Sequence, residues 1–445
     1  MRSLLAVFCL TTFLSAQSKS VPPESLLFTN VNVVDTLYGR VQPNMTVLVE
    51  QGRIRSIAHI GLFATGRGLR VINAAGKYLM PGLWDMHAHT AERRVMWSDK
   101  VLYPLYLANG VTAIRDMGGD PALLAERRQS LDRGEIAGPH IFVDEHRSPP
   151  VAPTRAPQID SARALSNTPR DSYLPAAEKI SEPVSAPETV SVVDNGQRTV
   201  EQLEGMLLAC SSEEPSLRRQ RLAALAHDDL DAYSELRQRT AATYDPKKAW
   251  NLFIQLADRG TWQVPTLVWS QTMSSLNDPT FLLAPQLAYV PGHIRAQWDP
   301  QILLQHLSAK QFARVKQEAA SDLELTAAMH RAGTQFMAGT DAPDPYVVPG
   351  FSLHDELEWL VKGGLTPAQA LQSATFNPAL FMVKLDLYGV VEQNHVADLV
   401  LLDDNPLEDI RNTRKISAVI LGGKYYSRHD LDKMLEEAKV EAAKE

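Results

Sequence analysis

Residues 78–90 read YLMPGLWDMHAHT, and this stretch decides how the rest of the chain is understood. The apolar run ends in Asp85-Met86-His87-Ala88-His89, which closes a predicted strand. Residues two apart on a strand point to one face, so His87 and His89 can aim at a single ion. Imidazole pairs are good ligands for zinc and its neighbours. Histidines reach this spacing often for structural reasons. The pair gains weight here because it follows Pro-Gly-Leu and ends a strand that opens a series of similar units.

Further along, GVTAIRDMGG (110–119), TWQVPTLVWS (261–270) and GTQFMAGTDAP (333–343) read as further strands. Helices are predicted at Leu217–Arg239 and Ala309–Arg331, over HDELEWLVKGG (354–364), and over TPAQALQSAT (366–375), which starts with a Thr cap and a Pro. Strands alternating with helices indicate βαβ units and a parallel sheet. On both sides of this region lie short alternating runs: LLFTNVNVVD (26–35) and NMTVLVEQGRIRSIA (44–58) before it, HVADLVLLDD (395–404) and ISAVILGGKYYS (416–427) after it. The expectation is an α/β chain, with a barrel over 79–385 and a β-sandwich domain assembled from 19–78 and 386–428. The tail, 429–445, is a charged, Ala-rich helix that is predicted to be solvated or to meet a second copy of the chain.

Composition excludes several classes. With 44 basic and 52 acidic residues the formal charge is −8, and no basic patch stands out, so a nucleic-acid partner is not expected. Residues 1–18 carry one basic residue, Arg2, then an apolar run from Leu4 to Leu14 and a small-residue site at Ala16-Gln17-Ser18, the layout of a signal peptide. The run is too short to span a bilayer. The predicted location is therefore periplasmic or secreted, without a membrane anchor. Cys9 falls in the leader and leaves Cys210 alone, so neither a disulfide nor a Cys-based zinc site is available.

At this point a family resemblance emerges. YLMPGLWDMHAHT resembles the first barrel strand of the amidohydrolase superfamily, in its imidazolonepropionase- and prolidase-like branch. GTQFMAGTDAP resembles the eighth strand, and NHVADLVLLDDNPLEDIRN (394–412) the returning β-domain. ANGVTAIRDMGG, WQVPTLVW and FSLHDELEWLVKGGLTPAQALQSATFNPA are similar to family segments too. The resemblance implies a (β/α)8 TIM-type barrel with its active site at the C-terminal strand ends. It also implies a divalent metal, zinc by preference, that activates water against the carbon–nitrogen bond of a small-molecule amide. His87, His89 and Asp341 would be metal ligands, and Asp341 would also move the proton.

The chain departs from the family pattern at three further ligand positions. TVEQLEG (199–205) is similar to the strand-six pattern, with Gln202 in place of a histidine. Ser185 stands where a strand-five histidine is expected, and Arg163 at the position of the bridging lysine. From Val111 to Thr199 the chain has only 88 residues, whereas four βα units need about 120. Between His146 and Val190 lie 8 of the 28 prolines and no glycine, a composition that does not make buried parallel strands. Strands three and four are therefore expected to be missing or replaced, which leaves the barrel incomplete around strands 3–5. A second reading follows: a non-catalytic relative, or the product of a disrupted gene altered over 144–186.

Other candidates carry less. His146 follows two acids but precedes the proline-rich stretch. His354 and His140 are predicted to be structural, and His227, His293, His306 and His330 have no partner at ligand spacing. Arg115-Asp116 after a strand is either an ion pair or a substrate contact. No phosphate loop or nucleophile elbow is present.

Overall fold

The computed structural model describes residues 25–59, 69–91, 97–143, 198–203, 205–227, 229–305 and 308–445. The leader, Arg163, Ser185, His146, His306 and the proline-rich stretch all lie outside these residues.

Five strands open the chain: β1 (Ser25–Asp35), β2 (Arg40–Glu50), β3 (Arg53–His59), β4 (Leu69–Asn73) and β5 (Tyr78–Pro81). The parallel layer is built from β6 (Leu83–Ala88), β7 (Val111–Asp116), β8 (His140–Val143), β9 (Thr199–Glu201) and β10 (Trp262–Val264). Three more strands, β11 (Leu399–Leu402), β12 (Ile416–Leu421) and β13 (Lys424–Ser427), follow near the C-terminus.

The first and last groups join in one sheet ordered β13-β12-β11-β5-β1-β2-β3, with β4 also on β1. The decisive junction is β5 against β11, antiparallel, with Leu79 opposite Leu401. Where a sandwich is predicted, the hydrogen bonds trace a single continuous sheet. Alternation then feeds two cores, because successive strand residues face opposite ways. Leu79, Leu399, Leu401, Ala418 and Ile420 pack with Phe28 and Val47 on one side. Their neighbours Met80, Val400, Leu402 and Val419 enter the main core with the barrel-side helices.

The predicted strand 79–89 is divided at Gly82, whose N–H donates to the Asp398 carbonyl at 2.8 Å. A Cβ there would lie 2.0 Å from Thr112 Oγ1, so no side chain fits. Beyond it, β6 and β7 are buried at every position, as expected when both faces of a parallel sheet are covered. β6 pairs β7 and β7 pairs β8, all parallel. β8 is the third strand of the layer, so the expectation that it is missing is corrected. The sequence places His140 at the entry of a short strand after Gly-Pro, but four residues beside the prolines do not mark that strand as the third of the layer.

On the other side of β6 lies the segment 335–342, which is extended but forms only isolated bridges. Met86 N donates to Ala338 O at 2.9 Å, and Gln263 N to Gln335 O at 2.8 Å, which brings β10 alongside. β10 pairs β9 in parallel. The layer therefore runs β8-β7-β6-(335–342)-β10-β9. TWQVPTLVWS yields only the three-residue β10, because Thr266 takes a positive φ of 46° and helix Leu267–Ser274 begins at once.

Two helix expectations also change. Leu217–Arg239 is two helices, Glu214–Ala226 and Leu230–Ala242, the second capped by Asp229. The tail helix, Arg428–Ala442, does not stand in solvent. It buries Leu431, Ala438 and Ala442 in the main core, with helix Asp99–Ala108 as its chief neighbour. Helices Ala309–Arg331, Phe351–Lys362 and Pro367–Ser373 lie where the sequence places them, the last with Thr366 and Gln369 forming a reciprocal cap.

Candidate metal centre

His87 sits near the end of β6 and His89 just beyond it. Asp341 comes from the neighbouring extended segment, its N–H donating to the His87 carbonyl at 2.8 Å. The three side chains converge. His87 Nε2 is 3.2 Å from His89 Nε2 and 3.3 Å from Asp341 Oδ1, and His89 Nε2 is 3.0 Å from the same oxygen. Donors on an ion with bonds of ~2.0–2.2 Å stand ~3.3–3.6 Å apart at tetrahedral angles and ~2.8–3.1 Å apart at right angles. The observed triangle fits a divalent ion seated on one side of it.

The backbone that delivers these groups is tightly held. The Asp85 carboxylate accepts from His87 N at 3.2 Å, Thr340 N at 3.0 Å and Thr340 Oγ1 at 2.6 Å. It thus clamps β6 to the segment that carries Asp341. Burial pushes Asp85 up to about 6 in spite of these bonds from Thr340 and His87. Asp341 itself has a φ of +67°, which turns its carboxylate back across the strand end. Asp116, at the end of β7, accepts from Thr90 N at 2.8 Å and Thr90 Oγ1 at 2.6 Å, and so holds the loop after His89.

Two residues from the end of β9 complete the surroundings. Gln202, which also has a positive φ, donates from Nε2 to Asp341 Oδ2 at 2.5 Å. The position read as a lost histidine ligand therefore still reaches the site, on the carboxylate oxygen turned away from His87. Glu201 escaped the sequence reading altogether. Its Oε2 lies 2.8 Å from His87 Nδ1, and its Oε1 accepts from Arg115 Nη2 at 2.7 Å. Arg115 is buried and also donates from Nε to Met86 O at 2.7 Å. Arg115 and Asp116 are therefore not paired with each other, and Arg115 serves the site rather than a surface. The signal available in the sequence was a carboxylate directly before Gln202 together with an arginine near the end of the largely apolar strand VTAIRD.

Electrostatics follow from this crowding. Burial alone would lower His87, but the Asp341 and Glu201 carboxylates outweigh it and raise it to about 9. Burial would raise Asp341, but the two imidazoles hold it well below the usual carboxylate range. Glu201 is likewise opposed by burial and brought down to about 2 by Arg115 and His87. A cation entering here competes with a proton for His87.

The remaining histidines lie elsewhere. His354 is buried between Thr413 Oγ1 at 2.9 Å and the Asn109 carbonyl at 3.0 Å, a structural position. His140 pairs with Asp398 at 3.0 Å, at the opposite end of the strand layer from His87. His293 meets the Glu445 carbonyl, His330 lies edge-on to Phe336, and His227 ends a helix.

Residues 302–425 match the amidohydrolase family. Over that segment, little more than a quarter of its length, the chain is similar to the amidohydrolase family. Among curated proteins, ochratoxinase from Aspergillus niger is 31% identical over 125 residues, which cover 27% of this chain and 25% of that protein. The chain thus matches about a quarter of that relative's length. Among solved structures, bottromycin amidohydrolase superposes with a TM-score of 0.61 at 18% identity, covering 94% of this chain and 91% of that one. A Xaa-Pro dipeptidase with bound methionine gives 0.55 at 19% identity, covering 91% and 100%. At these identities the structural likeness speaks for the fold alone.

Proposed function

We propose that this chain is an exported, metal-dependent hydrolase of carbon–nitrogen bonds in small molecules such as N-acyl amino acids, dipeptides or cyclic amides. Under this reading the parallel layer is part of a (β/α)8 TIM-type barrel, and the leader over residues 1–18 is removed on export. No helix among the described residues is long and apolar enough to cross a membrane. The observation that carries the proposal is the convergence of His87, His89 and Asp341 at the C-terminal end of β6 and the segment beside it, the end of a parallel layer where barrel enzymes place their chemistry.

His87, His89 and Asp341 would hold one divalent ion, zinc by preference, which supplies Lewis acidity and brings the pKa of water from 15.7 toward roughly 7. Asp341, held ionised by the imidazoles, would be both a ligand and the group that takes up a proton. Gln202 occupies one lone pair of Oδ2, and a carboxylate oxygen retains another for this purpose. With Gln202 in place of an imidazole, the ligand set among the described residues holds one ion rather than a bridged pair.

That same Gln202 also supports the second reading, a relative that binds an ion without turnover. Elemental analysis of chelator-washed, zinc-reconstituted protein, together with assays on N-acyl amino acids and dipeptides, separates the two. The proposal expects one equivalent of metal, hydrolysis slower than that of two-metal enzymes, and loss of both in His87→Ala. Metal bound without hydrolysis favours the second reading, and two equivalents with rapid turnover refute the single-ion site.

A further inference from the structure

The proposed ligands leave one buried ionic unit unexplained, the chain Arg115–Glu201–His87. Each member is committed. Arg115 is wholly buried, with its guanidinium 5.4 Å from the Phe381 ring centroid, its Nε on the carbonyl of Met86 and its Nη2 on Glu201 Oε1. Glu201 spends its second oxygen on His87 Nδ1. It faces the side of the imidazole away from Asp341, so it is not itself part of the ligand triangle.

Committing a wholly buried arginine to a glutamate that keeps only about a fifth of its side chain exposed is costly and is seldom justified by stability alone. A hydrophobic pair would serve the core as well. The geometry supplies another reason. A neutral imidazole carries one N–H, and the partner of one nitrogen fixes which nitrogen holds it. Once a cation displaces one proton from His87, a carboxylate at Nδ1 keeps the remaining proton there and frees Nε2 toward His89 and Asp341. Arg115 adds a second restraint by bonding the Met86 carbonyl on β6, so that it fixes Glu201 on β9 to the strand carrying His87.

We propose that Glu201, anchored by Arg115, is a positioning residue that fixes the tautomer and ring orientation of His87 for metal binding. This rests on the metal reading above but goes beyond it, since Glu201 touches neither the ion nor the substrate. Arg115 neutralises Glu201, and the ligand triangle then presents a single carboxylate charge to a divalent cation. Metal-ligating histidines depend on such partners, and losing one typically costs 10–100-fold in metal affinity.

The test uses the full chain, Co(II) alone as the probe, and a competing chromophoric chelator. Wild type, His87→Ala, Glu201→Gln and Glu201→Asp are compared. Glu201→Asp keeps the charge opposite Arg115 but draws it back from His87, which covers the case in which Glu201→Gln fails to fold. A second readout is independent of metal: the far-downfield ring N–H proton of His87 in the metal-free protein, identified by its loss in His87→Ala. Both Glu201 variants are expected to weaken Co(II) binding by 10–100-fold and to shift or remove that resonance. Unchanged affinity and an unchanged resonance in a folded Glu201 variant would overturn the proposal and leave the metal site standing. Co(II) affinity that is indifferent to His87→Ala would instead overturn the metal reading, and the resonance alone would then decide whether Glu201 orients the ring.

Discussion

Gly339→Ala is a demanding test of how the centre is assembled. Gly339 lies in the extended segment beside β6, two residues before Asp341. A Cβ at this position would stand 2.6 Å from Val264 Cγ1, 2.7 Å from His87 Cβ and 2.8 Å from His87 N. Carbon atoms prefer about 3.5–4.0 Å, so β6 or the segment must retreat by roughly 0.7 Å. Val264 can rotate, but the backbone nitrogen of His87 cannot. Overpacking of this kind costs about 1–3 kcal/mol. The displacement falls on the triangle itself, because the same retreat separates Asp341 from the two imidazoles. A misplacement near 1 Å in a reacting constellation costs about 10²-fold. Urea unfolding and metal-affinity measurements on the variant are expected to show both losses together. If Gly339→Ala matches wild type in both stability and metal affinity, the close approach of this segment to His87 is wrong, and with it the derived spacing of the centre.

Three further outcomes are expected. His354 is held neutral by burial and by the nearby Arg414, with its pKa lowered to about 3. Its stabilisation is therefore present above the unfolded value of 6.5 and is lost as pH falls toward 3, by up to about 5 kcal/mol; the urea midpoint of His354→Gln should vary less with pH across that window than that of wild type. Glu356 runs the other way: burial raises it to about 8 although the Val268 and Leu267 N–H groups oppose the rise. Its contribution is complete below the unfolded value of 4.5 and is lost as pH rises toward 8. Glu356→Gln should therefore gain stability relative to wild type between pH 5 and pH 8 in urea titrations, by about 1.4 kcal/mol for each pH step of one across that window. Asp341→Asn removes the only carboxylate in the triangle, and calorimetry is expected to show zinc affinity at least tenfold weaker with the fold retained by circular dichroism.

How much of this was legible in the sequence depended on the range of the interaction. His87 and His89 are two residues apart on one strand, so a periodicity of two was enough to pair them. Thr366-Pro367 announced its helix because a cap acts within a single turn. Asp341 entered through resemblance, since nothing local in GTDAP points at a histidine pair in a distant strand. Glu201 was missed because its partners, His87 and Arg115, belong to β6 and β7, and TVEQLEG alone gives no hint of either. Short elements were hidden for another reason. HIFV reads as a short strand but is too brief to show its place in the layer, and the apolar run through Thr266 does not reveal the positive φ at which strand becomes helix. In the tail, Leu431, Ala438 and Ala442 form a narrow stripe among charges, and small alanines in a polar sequence do not advertise a buried face.

The seam at Gly82 bears on the order in which the protein matures. β5 and β6 are nearly one strand, shared between the sheet and the parallel layer, and β5 finds its antiparallel neighbour only in β11. As the chain emerges during synthesis, β5 keeps an open edge until almost everything else has been made. The Gly82 N–H likewise waits for Asp398. Contacts so distant along the chain close slowly, and open strand edges on unfinished intermediates invite association with other chains. The strand that presents His87 and His89 is thus among the earliest parts of this region to be synthesised and among the last to be secured.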